Sequence, residues 1–198
     1  MIFKEEQSTI LLTGTSHVGK TSCAMILGKN TGYEVISTDT LARHPGRPWS
    51  SVPSFVIDYY NNLSDDTIHW FLKVHHENMR SVIQQTIQRY ITTKQPLILE
   101  GAALRPEYYA DWNIDPANAR CLYAAPAILT RRIMDSSDYN HRSQQIRIAI
   151  DKFIERSLRE NESLAGAALK HGVTVVEVDD LEKIGELATS LVNTHYTQ

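Results

Sequence analysis

The run Gly14-Thr15-Ser16-His17-Val18-Gly19-Lys20-Thr21 follows the short apolar stretch Ser8-Thr9-Ile10-Leu11-Leu12, which stops at Thr13-Gly14. It precedes residues 20–29, whose apolar groups recur at helical spacing until Asn30-Thr31-Gly32 ends them. No other feature constrains the fold as much. A strand that ends on glycine, curls, and restarts as a helix turns successive N–H groups toward one point, and the helix dipole reinforces them. The result is a cradle for phosphate oxygens. Gly14, Thr15, Ser16, His17, Val18, Gly19, Lys20, Thr21 and Ser22 are therefore the expected phosphate-binding residues. Lys20 is placed to reach the β- and γ-phosphates and the Thr21 hydroxyl to ligate magnesium, so ATP and Mg2+ are the expected cofactors. A glycine-rich turn with a chance lysine would account for the letters, but not for the strand before them or the helix after.

The rest of the chain alternates in the same way. Tyr33–Ser37 reads as a second strand, Leu97-Ile98-Leu99 before Glu100-Gly101 as a third, Ala119–Ala124 as a fourth and Val173–Val178 as a fifth. Arg43-His44-Pro45-Gly46-Arg47-Pro48 cannot be regular helix and reads as a loop. From Asp66 to Thr93 neither Gly nor Pro occurs, and apolar groups fall at three-and-four spacing, which predicts one long amphipathic helix. Further helices are expected over Ala127–Met134, over His141–Lys170 and from Leu181. Near-continuous apolar strands alternating with helices predict an α/β fold with a parallel sheet covered on both faces.

In such a sheet ligands sit beyond the carboxyl ends of the strands, and two acids lie there. Asp39 follows the second strand and Glu100 closes the third. One carboxylate suits the proton of an attacking hydroxyl and the other a magnesium-bound water. Asp39 is read as base or acceptor-hydroxyl ligand and Glu100, with Thr21, as the metal-side acid, although the two roles are exchangeable at this level. Asp39 could instead cap the helix-like Thr40-Leu41-Ala42, and Glu100 could be a surface carboxylate.

With 198 residues, 42% of them hydrophobic and 22% charged, the chain suits a single domain, 1–198. A net charge of −3 gives no electrostatic reason to expect nucleic acid or an anionic membrane as partner, which leaves a small molecule. Cys23 and Cys121 form neither a disulfide framework nor a metal cluster, and Ile10-Leu11-Leu12 is too short for a signal or a membrane span; a cytoplasmic location is expected. The oligomeric state, monomer or homodimer, is open.

Leu11–Thr21 and Leu97-Ile98-Leu99-Glu100-Gly101-Ala102-Ala103-Leu104-Arg105-Pro106 resemble segments of 2-phosphoglycerate kinases. The layout as a whole resembles the P-loop kinases of small molecules, among them adenylate and shikimate kinases, zeta toxins and chloramphenicol phosphotransferase. That resemblance implies a three-layer P-loop NTPase fold, a five-stranded parallel sheet ordered 2-3-1-4-5, a short lid over about residues 131–147, and phosphoryl transfer from ATP. Asp39 falls where several of these kinases place an aspartate that contacts the acceptor hydroxyl. Lid arginines of the group stabilise the transferring phosphoryl; here the candidates are Arg131, Arg132, Arg142 and Arg147, with Arg132 and Arg142 chosen as catalytic beside Lys20 and Asp39.

On the acceptor side, a stiff loop with two guanidiniums follows Asp39. Arg43 and Arg47, with Arg105 assisting, are expected to hold a phosphate or carboxylate of the substrate; salt bridges on a surface loop are the plainer reading. His75-His76 reads as one packed and one solvated histidine rather than a metal site. The Asn-Lys-x-Asp and Asp-x-x-Gly strings of a regulatory GTPase do not occur. An ATPase, a regulatory nucleotide-binding protein without kinase activity, and a toxin-like kinase acting on a nucleotide sugar remain as alternatives.

Overall fold

A computed structural model describes residues 9–42 and 46–196. Its five strands are β1 (Thr9–Thr13), β2 (Glu34–Ser37), β3 (Leu97–Glu100), β4 (Ala119–Tyr123) and β5 (Thr174–Glu177). All pair in parallel, in the order β2-β3-β1-β4-β5. Of the first strand read at Ser8–Leu12, Thr9–Leu12 are strand, and Ser8 lies outside the described residues.

Alternation along the strands assigns side chains to two cores. Ile10 and Leu12 of β1, Ile98 of β3 and Leu122 of β4 face one core; Leu11, Leu97, Leu99 and Cys121 face the other. Each side chain points opposite to its neighbour because the pleat has a period of two. Burying a Leu or Ile this completely is worth about 1.5–3 kcal/mol, so the three central strands, β3, β1 and β4, are anchored from both sides.

Six helices supply the outer layers: α1 (Lys20–Thr31), α2 (Ser54–Asn62), α3 (Asp65–Thr93), α4 (Pro126–Ser137), α5 (Gln144–Lys170) and α6 (Leu181–Tyr196). Cys23, Ala24 and Leu27 of α1 pack with Ile184, Ala188 and Leu191 of α6 on the first face; Met79, Ile83, Ile87 and Tyr90 of α3 fill the second. The long helix read from Asp66 starts one residue earlier, where the Ser64 hydroxyl accepts from Thr67 N. It is preceded by α2, which the sequence reading left unassigned. The break between the helices read over Ala127–Met134 and His141–Lys170 comes later: α4 runs to Ser137 and hands over to a 3-10 turn at Tyr139–His141. Among the described residues no helix is long and apolar enough to cross a membrane.

Candidate active site

The carboxyl ends of β1, β2 and β3 meet because β1 lies next to β3 and β3 next to β2: Leu12 and Ser37 both sit in register with Glu100. The chain leaves β1 at Gly14, whose φ is +141°. A Cβ there would stand 2.5 Å from the carbonyl oxygen of Leu122, backbone that cannot yield, so only glycine lets the loop start this close to β4. The loop then delivers Lys20, whose Nζ donates to Thr15 O at 2.8 Å. Burial pulls the Lys20 pKa down, while the nearby charges of Glu100 and Asp39 act against that pull.

Thr21 Oγ1 donates to Glu100 Oε1 at 3.1 Å. The helix start and the end of β3 are thereby joined, and the Glu100 carboxylate is 3% exposed. Asp39 stands apart, exposed, on a 3-10 turn at Thr38–Thr40 whose cap is the Ser37 hydroxyl, accepting from Asp39 N. Capping of this turn therefore falls to Ser37. What fixes Thr38 beside β3 is Gly101: any Cβ on that glycine would run into the Thr38 side chain.

Two clefts open over this ledge. The larger, of about 310 Å³, is lined by Lys20, Thr21, Ser22, Glu100 and Arg132 together with Ser16, His17 and Gly19 of the loop. The second, of about 100 Å³, runs from Thr15 and Thr38 between α2, α3 and α5. Ser16, Asp39, Arg47 and Ala102 line both. Asp39 thus stands on the boundary between a phosphate-sized cradle and a separate pocket.

The remaining candidates separate by position. Arg132 of α4 lies over the loop, its Nη1 donating to His17 O at 3.5 Å. Arg142 turns back to donate from Nε to Ser137 O at 2.7 Å, closing the 3-10 turn, and does not line the larger cleft. Arg131 and Arg147 are exposed. Val18 is wholly buried in the first core, so only its backbone faces the loop. Arg43 lies outside the described residues. Arg105 is buried and committed elsewhere: Nη1 donates to Glu160 Oε1 at 2.8 Å and Nη2 to Glu107 Oε1 at 2.9 Å. It lines neither cleft.

His17 links the two halves. Its ring packs on Trp49 and Phe153 with centroids 5.8 and 6.0 Å away, and its Nε2 is 3.0 Å from Ser136 Oγ. Burial, followed by the charges of Arg47, Lys20, Arg156 and Arg132, lowers its pKa to about 4, so the ring is neutral at pH 7.

The smaller cleft also holds residues that sequence reasoning missed: Tyr60 of α2, His76 of α3, and Phe153, Arg156 and Glu160 of α5. A signal for them existed. Arg156 and Glu160 sit four apart on a helix whose buried stripe is Ala149, Ile150, Phe153, Leu164 and Ala168, and ionisable groups on such a stripe need a reason to be there.

No family model matches the chain, and no curated protein matches it in sequence. Solved structures do match. A gluconokinase from Sinorhizobium meliloti 1021 is 18% identical, with a TM-score of 0.57 over 94% of this chain and 92% of that one. A deoxyadenosine kinase from M. mycoides is 18% identical, TM-score 0.54, over 93% and 99%. A shikimate kinase from Bacteroides thetaiotaomicron is 15% identical, TM-score 0.52, over 94% and 97%. At such identities the likeness establishes the fold, which is the three-layer P-loop fold that these small-molecule kinases share, with the strand order that the resemblance implied.

Proposed function

We propose that the protein is a small-molecule kinase that moves the γ-phosphoryl of ATP to a hydroxyl of a small anionic acceptor. One observation carries this reading: Asp39 lines both clefts, with Lys20 and the Thr21–Glu100 pair on one side and a separate pocket on the other. A water-activating ATPase has no use for that second pocket. Chain 1–198 is read as one kinase domain, with the lid at about 131–147, and its location as cytoplasmic.

The nucleotide's phosphates occupy the loop from Gly14 to Ser22, where backbone N–H groups and Lys20 Nζ face them. Thr21 Oγ1 and Glu100 Oε1 form an all-oxygen donor pair, the hard set that Mg2+ prefers, and these residues would hold it, Glu100 through a bound water. Bound there, the ion supplies charge neutralisation at the phosphate oxygens. Asp39 orients the acceptor hydroxyl and takes its proton as the new O–P bond forms and the bond to the β-phosphate oxygen breaks, releasing ADP. Arg132 covers the equatorial oxygens from α4, and Arg47 draws an anionic acceptor to the rim. Arg142 and Arg105 act at one remove, the first by shaping the lid turn and the second by holding Glu160.

ADP release followed with and without acceptors tests the proposal. Acceptor-dependent release is expected; release at the same rate with water alone would replace the kinase reading with the ATPase one.

A further inference from the structure

The stripe of α5 that meets the smaller cleft carries Arg156 and Glu160 among apolar neighbours, and their partners differ. Glu160 is fully buried and its Oε1 accepts from Arg105, whose other contacts are Glu107 and Ser163. Arg105 is thus charge-matched. Arg156 is not: its Nη1 donates to Tyr60 Oη at 3.2 Å and its guanidinium lies 4.2 Å from the Phe153 ring centroid. Among the described residues it makes no ion pair, and its Nε is buried without a partner. Glu160 Oε2, His76 Nδ1 and His69 Nδ1 are also buried without hydrogen-bond partners, the His76 imidazole 3.7 Å from Glu160 Oε1 and the His69 imidazole 3.9 Å from Oε2. Burial first, then Arg105, holds His76 well below its usual range, so it adds no charge.

Arg156, Glu160 and His76 line only the smaller cleft, whereas Asp39 and Arg47 line both. The cleft therefore has a transfer end at Asp39 and an inner end offering one uncompensated guanidinium beside a carboxylate oxygen with a free lone pair. Buried polar atoms are normally bonded, so these point to a ligand that accepts from Arg156 and donates to Glu160. Its size is limited. The cleft holds about 100 Å³, and an apolar cavity of about 150 Å³ takes one benzene, which sets the enclosed part at about four non-hydrogen atoms, a carboxylate and the carbon that bears it. A nucleoside is too large. Arg156 covers the Phe153 ring and Tyr60 is 1% exposed, so neither of these two rings offers a free stacking face. One guanidinium next to Glu160 matches a monoanion better than a phosphate dianion.

We infer that this inner cleft is a subsite for a short-chain hydroxy acid. Its carboxylate sits on Arg156 beside the Tyr60 hydroxyl, and an inner hydroxyl donates to Glu160. The terminal hydroxyl reaches Asp39. Arg105 and His76 act as positioning residues that keep the Glu160 carboxylate oriented. The inference deepens the kinase reading and rests on it for the fate of the terminal hydroxyl, but binding at Arg156 stands on its own.

The test compares D-glycerate and L-threonate with their primary amides, with glycerol 3-phosphate and with adenosine. Binding is read by calorimetry in the presence of MgADP, and turnover by ADP release. The acids should exceed their amides by at least about thirtyfold in affinity on the wild-type protein, the scale of a lost hydrogen bond to a charged group. Arg156→Leu should bring that ratio close to 1 while MgATP still binds. The acid-to-amide ratio on wild type needs no variant, so a poorly folding R156L leaves the test intact. Equal binding of acid and amide, preference for the phosphate ester or the nucleoside, or an acid-to-amide ratio that survives R156L would overturn the subsite. Acids that bind but release no ADP would support the subsite and remove the kinase reading. ADP release with another acceptor, while the acids fail to bind, would do the reverse.

Discussion

The two clefts that meet at Asp39 are built in different ways. Apart from Asp39, Arg47, the Glu100–Ala102 edge of β3 and Arg132, the larger one is a single run of chain from Ser16 to Ser22. The smaller draws on the end of β2, on Arg47, and on α2, α3 and α5, with residues more than a hundred positions apart. A triphosphate presents the same oxygens to every protein, so backbone amides in one curl suffice to hold it. An acceptor has its own outline, and matching it takes side chains brought from several elements by the whole fold.

Four experiments strain that division, the strongest first. Lys20→Ala removes the one side-chain charge of the local cradle; kcat is expected to fall about 10³-fold, the scale of losing a preorganised cation at the developing charge. Undiminished turnover in a steady-state assay would mean that the loop is not where transfer occurs. Asp39→Asn sits on the boundary and should cost about 10²-fold in kcat with MgATP affinity retained, as measured by single-turnover kinetics and nucleotide titration. A parallel loss of nucleotide affinity would place Asp39 on the phosphate side instead.

His17 has its backbone in one cleft and its ring against a wall of the other, and pH reads that link. Its folded pKa of about 4 lies below the ordinary imidazole value of 6.5, so the unfolded chain takes up the proton first. Stability from this group is complete above about pH 6.5 and is lost as pH falls toward 4, by roughly 2–3 kcal/mol. Urea midpoints at pH 7, 5.5 and 4 should show the decline, and His17→Gln should remove its share while leaving the share of His69 and His76, which burial also holds low. The smallest effect is expected at the rim. Arg47→Glu should raise the acceptor KM about tenfold and leave ATP binding intact; unchanged acceptor kinetics would remove Arg47 from the site.

The same division explains what the sequence made legible. Gly14, Gly19, Lys20 and Thr21 carry their meaning in spacing, because glycine frees the backbone and the helix start aims the amides, and both are local properties. Glu100 and Asp39 were legible one level up, since strands that stop on an acid put that acid at the ligand edge of a parallel sheet. The strand order came by resemblance, not from the strands themselves. Arg105 shows where the reading fails: an arginine just past β3 looks like an acceptor ligand until the fold brings Glu160 to it from 55 residues away. Arg156 is the converse, a helical arginine whose one signal is its place four residues before Glu160 on an apolar stripe, and whose interest comes from the partners that tertiary structure withholds. The helix α2, which contributes Tyr60, was also lost because its two turns lie beside a Pro-rich loop and carry no punctuation of their own.

The missing side chain at residue 101 has a consequence for anyone who would retune this protein. Thr38 rests directly on that bare α-carbon, so the spacing between Asp39 and Glu100 is a property of two neighbouring strands. The surrounding loops and cleft walls can be rebuilt around that gauge without resetting it. A graft of new walls onto α2, α3 and α5 therefore inherits the same pair of carboxylates at the same spacing, provided position 101 stays empty.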